Sequence, residues 1–447
     1  MAQVSLLRTE AEQRIAAEWA SAKTRLPGPI SLREAAFRRF EAAGLPHRRV
    51  EEWKYTDLRT LMREAKPLAP PPDRATRESA RTAGPLLAGI DARRLVFVNG
   101  AFVPELSDLA AEPGLKISSL ADALARGDAE VSARLGAASA AESDVAYALN
   151  TALMADGAVI EVARGATIAR PIHLVFAFAG EPAAVFARSL VTVGEGAKLT
   201  LLESHDGPEG VDYQVNTAID LAVGDGAKVE RVQIGSQGRS ALHVSTLTAA
   251  LGRAVAFRDF GFTTGGAVVR NQLFVRCGGA DSTLDLSGAT MLIARQHVDT
   301  TMVVDHAVGG CRSREVIKSV LDGQSRNVFQ GKIIVRPDAQ KTDARMLSNA
   351  LMLSADVEAD NKPELEIFAD DVQCGHGATA GSIDEHLKFY LMARGIPAAQ
   401  AEALLIQSFV GEAIDTVTHE GVREALTGAV RRWLQARDEA SEPCTRQ

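Results

Sequence analysis

The sequence predicts a mainly β protein in which a stacked β region is flanked by helical regions. From Gly157 to about Val372, short runs of β-branched residues alternate with Gly-Ala corners and show no 3.6-residue periodicity. The sequence VGEGAKLT at 193–200 returns at 223–230 as VGDGAKVE. Such repetition without intervening helices indicates a solenoid or a sandwich, and a sandwich domain of this length would be unusual. We therefore favour a β-solenoid.

Residues 1–155 are predicted to form an N-terminal, mostly helical region. Ser31 and Glu34 have the spacing of a capping box, in which each side chain satisfies a backbone N–H group at a helix start. Helical periodicity returns between residues 119 and 153. We therefore expect helices near both ends of this region.

Three other features stand out in the same region. Trp53 lies in an aromatic stretch of mixed charge, and we expect it to be a packing anchor rather than a substrate platform. Residues 66–72 read KPLAPPP and are predicted to be a linker, because stacked prolines fit neither a helix interior nor a central strand. The Asn99-Gly100 pair between two short apolar runs predicts a hairpin turn.

The change of pattern gives the remaining boundaries. We assign residues 156–373 to the solenoid core and residues 374–447 to a C-terminal helical region. Ser382 and Glu385 again have capping-box spacing, and apolar residues then recur at helical spacing as far as Leu434.

Bulk properties favour a soluble cytoplasmic protein. The chain has 447 residues, of which 46% are hydrophobic and 24% charged, and its formal net charge is −8. This charge argues against nucleic acid and membrane surfaces as partners, and no apolar run reaches the roughly 18 residues that suggest a membrane helix. The cysteines are scattered without a CxxC motif, which fits a reducing compartment: Cys277, Cys311, Cys374 and Cys444.

Motifs of self-contained enzyme chemistry are missing from the sequence. It has no P-loop, dinucleotide-binding fingerprint, HExxH element or Gly-x-Ser-x-Gly element. We therefore expect that the protein is not an enzyme.

The most specific candidate site consists of Cys374 and His376. They stand two residues apart after an apolar, strand-like run at 365–368, and residues i and i+2 of an extended chain point to the same side. A thiolate and an imidazole facing one spot are ligands that zinc, iron or an iron–sulfur cluster accepts. The pattern soon becomes helical, so we expect the pair at a strand-to-helix corner. The missing ligands would come from elsewhere in the chain or from a partner.

Purely structural roles for these cysteine and histidine residues stay open. Cys374 can be a buried structural thiol beside a histidine that caps a strand end. Cys277 and Cys311 have no histidine or acidic partner at ligand spacing, so we expect structural thiols there. His297 and His306 stand nine residues apart, a spacing that predicts no metal site.

Several motifs together resemble one known family. Residues 361–379 read NKPELEIFADDVQCGHGAT and are followed by FYLMARGI at 389–396. Both closely resemble the signature of SufD proteins, a branch of the SufB/SufD family of the SUF iron–sulfur cluster assembly machinery. EWKYT at 52–56 and RPI at 170–172 resemble that family's N-terminal motif and the start of its β domain. The resemblance spans most of the chain, and its Cys-x-His-Gly-Ala-Thr element separates it from SufB.

The chain departs from the family pattern in three places near this element. Gly375 replaces the usual serine between the cysteine and the histidine. His386 and Lys388 replace residues that are more often acidic or apolar. The candidate ligands themselves are in place.

The resemblance implies a fold, partners and residue roles. SufD-like proteins have a right-handed parallel β-helix core with N-terminal and C-terminal α-helical regions. They pair with SufB through the β-helix and dock the ATPase SufC on the C-terminal helices, in a complex with two copies of SufC. Nascent clusters form where SufB and SufD meet. His376 matches the histidine assigned to cluster formation there, and Cys374 matches the neighbouring metal-reactive thiol.

From this resemblance we expect a non-catalytic scaffold of the SUF complex that helps to build nascent iron–sulfur clusters and assists iron acquisition. We expect no tightly bound cofactor in the isolated chain and a transient iron or iron–sulfur cluster in the complex, contacted by His376 and Cys374. Whether the isolated chain forms a homodimer stays open. Two alternatives remain, a purely structural partner of SufB and SufC and, less favoured, a β-helix carbohydrate-active enzyme.

Overall fold

The protein was analysed as a computed structural model that describes residues 8–135, 141 and 143–441. Its strands run in chain order as β1 (Arg93–Val98), β2 (Ala101–Phe102), β3 (Leu115–Ser119), β4 (Ala158–Val162), β5 (Ile172–Ala177), β6 (Ala184–Val193), β7 (Lys198–Asp206), β8 (Gln214–Val223), β9 (Lys228–Ser236), β10 (Leu242–Leu251), β11 (Ala256–Thr263), β12 (Val268–Cys277), β13 (Thr283–Leu292), β14 (His297–His306), β15 (Arg312–Leu321), β16 (Arg326–Val335), β17 (Asp343–Met352), β18 (Glu358–Ile367) and β19 (Gln373–Gly381).

The helices lie before and after the long strands. They are α1 (Glu10–Ala22), α2 (Ile30–Ala43), α3 (Leu58–Leu61), α4 (Arg74–Ser79), α5 (Leu120–Ala125), α6 (Ala129–Leu135), α7 (Val145–Leu153), α8 (Glu385–Met392), α9 (Ala398–Ile414) and α10 (Glu420–Ser441). Across the part of the chain that the structure describes, none of them has the length and hydropathy needed to span a bilayer.

The strands from β4 onward alternate between two sheets. One sheet has the order β2-β1-β5-β7-β9-β11-β13-β15-β17-β19, and the other has the order β3-β4-β6-β8-β10-β12-β14-β16-β18. Each strand from β4 to β17 pairs in parallel with the strand two positions further along the chain. This connectivity defines a parallel β-helix with helical regions at both ends, so the predicted fold class is confirmed.

The repeated VGxGAK segments form equivalent corners on successive turns. Gly196 and Gly226 each have φ of +66°, which side chains disfavour. A Cβ atom on Gly224 would lie 2.7 Å from the backbone nitrogen of Glu195 on the preceding turn. Glycine is therefore required both for the backbone conformation and for the close approach of one turn to the next.

The core lies between the two sheets and is filled from alternating strand positions. Leu201, Phe257, Leu286 and Phe329 are fully buried there. Because side chains alternate between the two faces of a strand, the opposite positions face outward and accept the flanking helices. Apolar residues of α9 and α10 pack on the outer face of the ten-stranded sheet, and those of α1, α2 and α7 pack on the nine-stranded sheet.

Trp53 anchors the N-terminal region to the outer face of the nine-stranded sheet. Its side chain is 2% exposed, and its indole N–H donates to Asp144 at 2.8 Å. The Arg270 guanidinium on β12 stacks over its ring at 3.9 Å and also donates to the Glu52 carbonyl oxygen at 2.7 Å. The predicted packing role of Trp53 is confirmed.

The predicted hairpin is present, and the proline-rich segment lies against the β-helix. β1 and β2 form an antiparallel hairpin through Asn99 and Gly100, whose φ values are +50° and +79°. β1 also pairs in parallel with β5, so the hairpin begins the ten-stranded sheet. The proline-rich residues 66–72 connect α3 to α4 but are held against β6, since the Ala69 N–H donates to the Ala184 carbonyl oxygen at 2.9 Å.

Both predicted capping boxes are wrong. α2 begins one residue before Ser31, with Pro29 at its N-cap and no side-chain cap hydrogen bond. α8 begins after Asp384, whose carboxylate accepts from the backbone N–H groups of His386 and Leu387. Asp384 is a strong N-cap acceptor two residues after Ser382, which explains the second error, whereas nothing in the structure explains the start of α2 after Pro29.

Candidate metal centre at the last turn

The last turn of the β-helix leaves two strand edges open. β19 is the terminal strand of the ten-stranded sheet and pairs with β17, while β18 is terminal in the other sheet and pairs with β16. Within the described ranges no further strand adds to either edge. Each edge therefore presents backbone groups that a partner strand can bind.

Cys374 and His376 lie inside β19, so the predicted strand-to-helix corner is wrong. The apolar run that precedes them ends β18 at Ile367, and a turn at 368–372 carries the chain to the other sheet. β19 then pairs with β17 as far as Gly381, and α8 begins only at Glu385. The pair is thus held by a sheet ladder rather than by a flexible connection.

The strand register places both side chains on the interior side of β19. Cys374 is in register with Ala344 and His376 with Met346, and both β17 residues are buried. Residues in register on neighbouring parallel strands point to the same face. Cys374 is half-buried against the end of the core, whereas His376 is exposed because no further turn covers it.

Cys374 and His376 differ in how readily they can bind a metal ion. Burial raises the pKa of the Cys374 thiol, and the carboxylates of Asp343 and Glu315 raise it further. The thiol is therefore protonated at neutral pH and has to lose its proton before it ligates a metal. His376 is the more accessible of the two groups.

Exposed apolar side chains follow the last two strands in sequence. Phe368, directly after β18, is 59% exposed, and Phe389 on α8 is 70% exposed. Leu387 and Tyr390 are also exposed, and no residue of α8 is buried. Exposed large apolar side chains of this kind make α8 a candidate protein-interaction element.

The structure also brings together three residues that the sequence spacing did not connect. Cys277 is in register with His306, and Cys311 follows in the next corner. One ligand atom from each lies within 4.8 Å of the others, and all three residues are buried. The expectation that these thiols have no histidine partner is wrong, because one turn of the β-helix places residues distant in sequence side by side. Only the strand register would have revealed it.

The two thiols of this group shift each other's pKa in opposite directions. The pKa of Cys311 is lowered, first because the Cys277 thiol donates a hydrogen bond to it. The pKa of Cys277 is raised by the same hydrogen bond and by burial. His297, in contrast, lies outside this group, with its Nε2 atom 2.9 Å from the Thr56 hydroxyl. His297 therefore helps to attach the N-terminal region to the nine-stranded sheet.

Comparisons with known proteins cover most of the chain. The family model described as the SufBD core domain of SUF system FeS cluster assembly matches residues 176–409, and that of the SufBD protein N-terminal region matches residues 22–174. The iron–sulfur cluster assembly protein SufD of Escherichia coli is 30% identical over 391 residues, which cover 87% of this chain and 89% of that protein. An iron–sulfur cluster assembly SufBD family protein of Synechocystis is 30% identical over 420 residues, 91% of each chain. SufD of Bacillus subtilis is 26% identical over 293 residues, 63% of this chain and 64% of that protein. The chain therefore belongs to the SufBD family of iron–sulfur cluster assembly proteins, in which it is a homologue of SufD.

Proposed function

We propose that this protein is a non-catalytic subunit of a SUF complex, in which it pairs with SufB and contributes His376 to a cluster-building site shared by the two chains. The observation that carries the proposal is the position of His376, exposed on the open edge of β19 with Cys374 beside it. A two-ligand set at a strand edge is incomplete alone and becomes complete when a partner strand brings further thiolates.

The backbone of β19 supports pairing at this edge. The Gln373 N–H donates to the Thr342 carbonyl oxygen at 2.8 Å, toward β17. In a parallel ladder alternate residues of a strand bond to the same neighbour. On the side of β19 that faces away from β17, the free backbone groups therefore belong to Cys374, His376 and Ala378. A partner strand that binds them lies directly beside the two candidate ligands.

We expect the two candidate ligands to bind iron in a definite order. The exposed imidazole of His376 can meet incoming iron first, and imidazole is a ligand that iron accepts. Cys374 follows, because a bound metal ion lowers the pKa of a coordinating thiol enough to remove its proton. Iron and sulfide are cargo here, and the completed cluster leaves the site.

The C-terminal helices fit the role of a docking module for the ATPase SufC. α8 offers exposed apolar side chains, including Leu387 and Phe389. α9 is tied to the sheet by Glu412, which pairs with the largely buried Lys318 of β15 at 2.6 Å. Movement imposed on these helices by a nucleotide-driven partner would therefore reach β15, the strand next to β17.

The experiment compares cluster assembly in the isolated chain and in the complex with SufB and SufC. Each sample receives ferrous iron and a sulfide source without oxygen, and acid-labile sulfide is measured after desalting. We expect the complex to retain sulfide and the isolated chain to retain none. A complex that forms but retains no sulfide would make the chain a purely structural partner. Equal retention by the isolated chain would refute a shared site.

A further inference from the structure

The interior of the β-helix contains a set of soft ligands that the open-edge site does not use. Cys277 ends β12, His306 ends β14 and Cys311 lies in the corner before β15. Their two sulfur atoms and a ring nitrogen lie within 4.8 Å of one another. All three residues are 0% exposed. We call them the interior triad.

We propose that the interior triad is a metal site for one thiophilic divalent cation of the zinc class. Two cysteines and one histidine form a donor set that zinc accepts, with one coordination position left for a further ligand. Soft sulfur donors at the same time disfavour magnesium and calcium, which require oxygen ligands.

The hydrogen bonding of His306 points to a ligand. Its Nε2 atom lies 3.1 Å from the Ser313 hydroxyl. Its Nδ1 atom is buried and makes no hydrogen bond of ordinary geometry with the residues that the structure describes, and the Cys311 thiol lies close enough to interact with the ring. A buried polar atom without a partner costs about 1–3 kcal/mol. A ring held on one nitrogen by an outer hydroxyl while the other nitrogen binds a metal is the usual arrangement of metal-ligating histidines.

Glu315 is a second unsatisfied polar group in the same interior. It is 0% exposed, and neither carboxyl oxygen makes a hydrogen bond of ordinary geometry with the described residues. It lies on β15 two residues beyond Ser313 and therefore faces the same side of the strand. An interior built only from packing would leave fewer such groups unpaired.

Charge balance favours a divalent ion over a bare thiolate. Binding forms two metal–sulfur bonds and one metal–nitrogen bond, and each thiol releases its proton to solvent. Two thiolates and a neutral imidazole around a divalent cation carry no net charge, so burial of the assembly avoids the cost of an isolated buried charge. The step involves no oxidation.

The competing interpretation is a pair of inert thiols. The Cys311 sulfur lies 3.5 Å from the Gly279 carbonyl oxygen, to which its thiol can donate. Cys277 and Cys311 are both free rather than disulfide-bonded. Inert thiols would bind no metal at stoichiometric concentration, so titration separates the two interpretations.

The interior triad is separate from the open-edge site. β17 lies between β15, which follows the triad, and β19, which carries His376. The proposal therefore does not depend on any role of His376 in cluster assembly.

The test is an anaerobic titration of the metal-free full-length chain with Co²⁺, an optical substitute for Zn²⁺. We expect one Co²⁺ per chain, a thiolate-to-cobalt charge-transfer band in the near ultraviolet, and loss of that band when Zn²⁺ displaces the cobalt. Cys277→Ser and Cys311→Ser should each abolish the band and weaken binding by more than about tenfold. Cys374→Ser serves as the matched cysteine variant and should keep the band.

Three results would overturn the proposal. They are the absence of the band in the unaltered chain, its persistence in both serine variants, and its loss in Cys374→Ser. Should a serine variant fail to fold, X-ray absorption of the zinc-loaded, unaltered chain decides the matter. We expect two sulfur neighbours at about 2.3 Å and a nitrogen at about 2.0–2.1 Å. A shell of nitrogen and oxygen alone would contradict the assignment.

Discussion

At the residue scale, the interior of the β-helix contains charged groups that stabilise one another. Arg231 on β9 donates to Glu203 at 2.6 Å and to Asp259 at 2.8 Å, and all three residues are nearly inaccessible. Burial raises the pKa of Glu203, but the charges of Arg231 and His205 outweigh it, and the resulting pKa is about 2. Both carboxylates therefore share the Arg231 guanidinium, and Glu203 also pairs with His205 at 2.6 Å.

We expect Arg231→Met to destabilise the protein by about 3–5 kcal/mol, because it leaves two buried carboxylates without their cation. The free energy of unfolding in urea measures the change. Arg239→Ala is the control, since its ion pair with Glu209 is exposed and should contribute no more than about 1 kcal/mol. Similar losses for both variants would contradict this account of the buried network.

Glu315 should give stability an unusual pH dependence. Its pKa is raised to about 8, chiefly by burial. The folded state therefore holds a proton that the unfolded state releases near pH 4.5. Its contribution to stability is complete below that pH and is lost as the pH rises toward 8.

We expect the free energy of unfolding of Glu315→Gln at pH 8 to exceed that of the unaltered, metal-free chain by about 2–4 kcal/mol. At pH 5 we expect this gain to be smaller. Urea unfolding at several pH values measures the difference. A constant difference between pH 5 and pH 8 would show that Glu315 does not titrate in this range.

From the sequence alone, candidate site residues can be predicted only where a local motif carries the information. Cys374 and His376 were recognisable from their spacing and motif, whereas Cys277 and His306 meet only through the strand register. Capping boxes are also local motifs, but the two that the sequence predicts, at the starts of α2 and α8, are wrong. The capping box that the structure does contain lies at Thr9 and Glu12, at the start of α1.

At the element scale, β19 and α8 carry the proposed interactions. β19 has a free edge and a register fixed by β17, so its outward backbone groups are in a defined order. α8 follows it with exposed apolar residues. These two neighbouring elements can be tested separately because one binds through backbone groups and the other through side chains.

We expect Ala378→Pro to weaken binding to SufB by more than tenfold, because proline removes an outward N–H group from the edge of β19. Ala378→Thr keeps that N–H group and should bind as the unaltered chain does. Binding is measured by isothermal titration of purified proteins. Equal affinity of the two variants would exclude pairing through this edge.

We expect Phe389→Ser to weaken binding to SufC by roughly tenfold, since it removes the most exposed apolar side chain of α8. Its effect on unfolding should stay within about 0.5 kcal/mol because the residue is on the surface. Leu109→Ser, at an exposed apolar residue far from α8 in sequence, is the control and should leave the affinity unchanged. Unchanged affinity in Phe389→Ser would remove α8 from the proposed docking surface.

At the scale of the whole molecule, the fold class follows from the sequence because the corners repeat. Gly196 and Gly226 mark equivalent turns, and the short strands between such corners cannot bury their apolar faces except by stacking. The strand register was not predictable, since corner lengths vary and side chains of several sizes fit the interior. The interior triad and the exact placement of the pair on β19 depend on that register.

The shared cluster site is the central claim, and His376→Ala in the complex with SufB and SufC tests it most directly. Subunit stoichiometry is measured first, and acid-labile sulfide and cluster absorption are then measured after anaerobic assembly. His47→Ala, at a histidine of the N-terminal region, is the control. We predict an intact complex that loses most of its cluster in His376→Ala and keeps it in His47→Ala. An intact His376→Ala complex with a normal cluster yield would contradict the ligand role of His376.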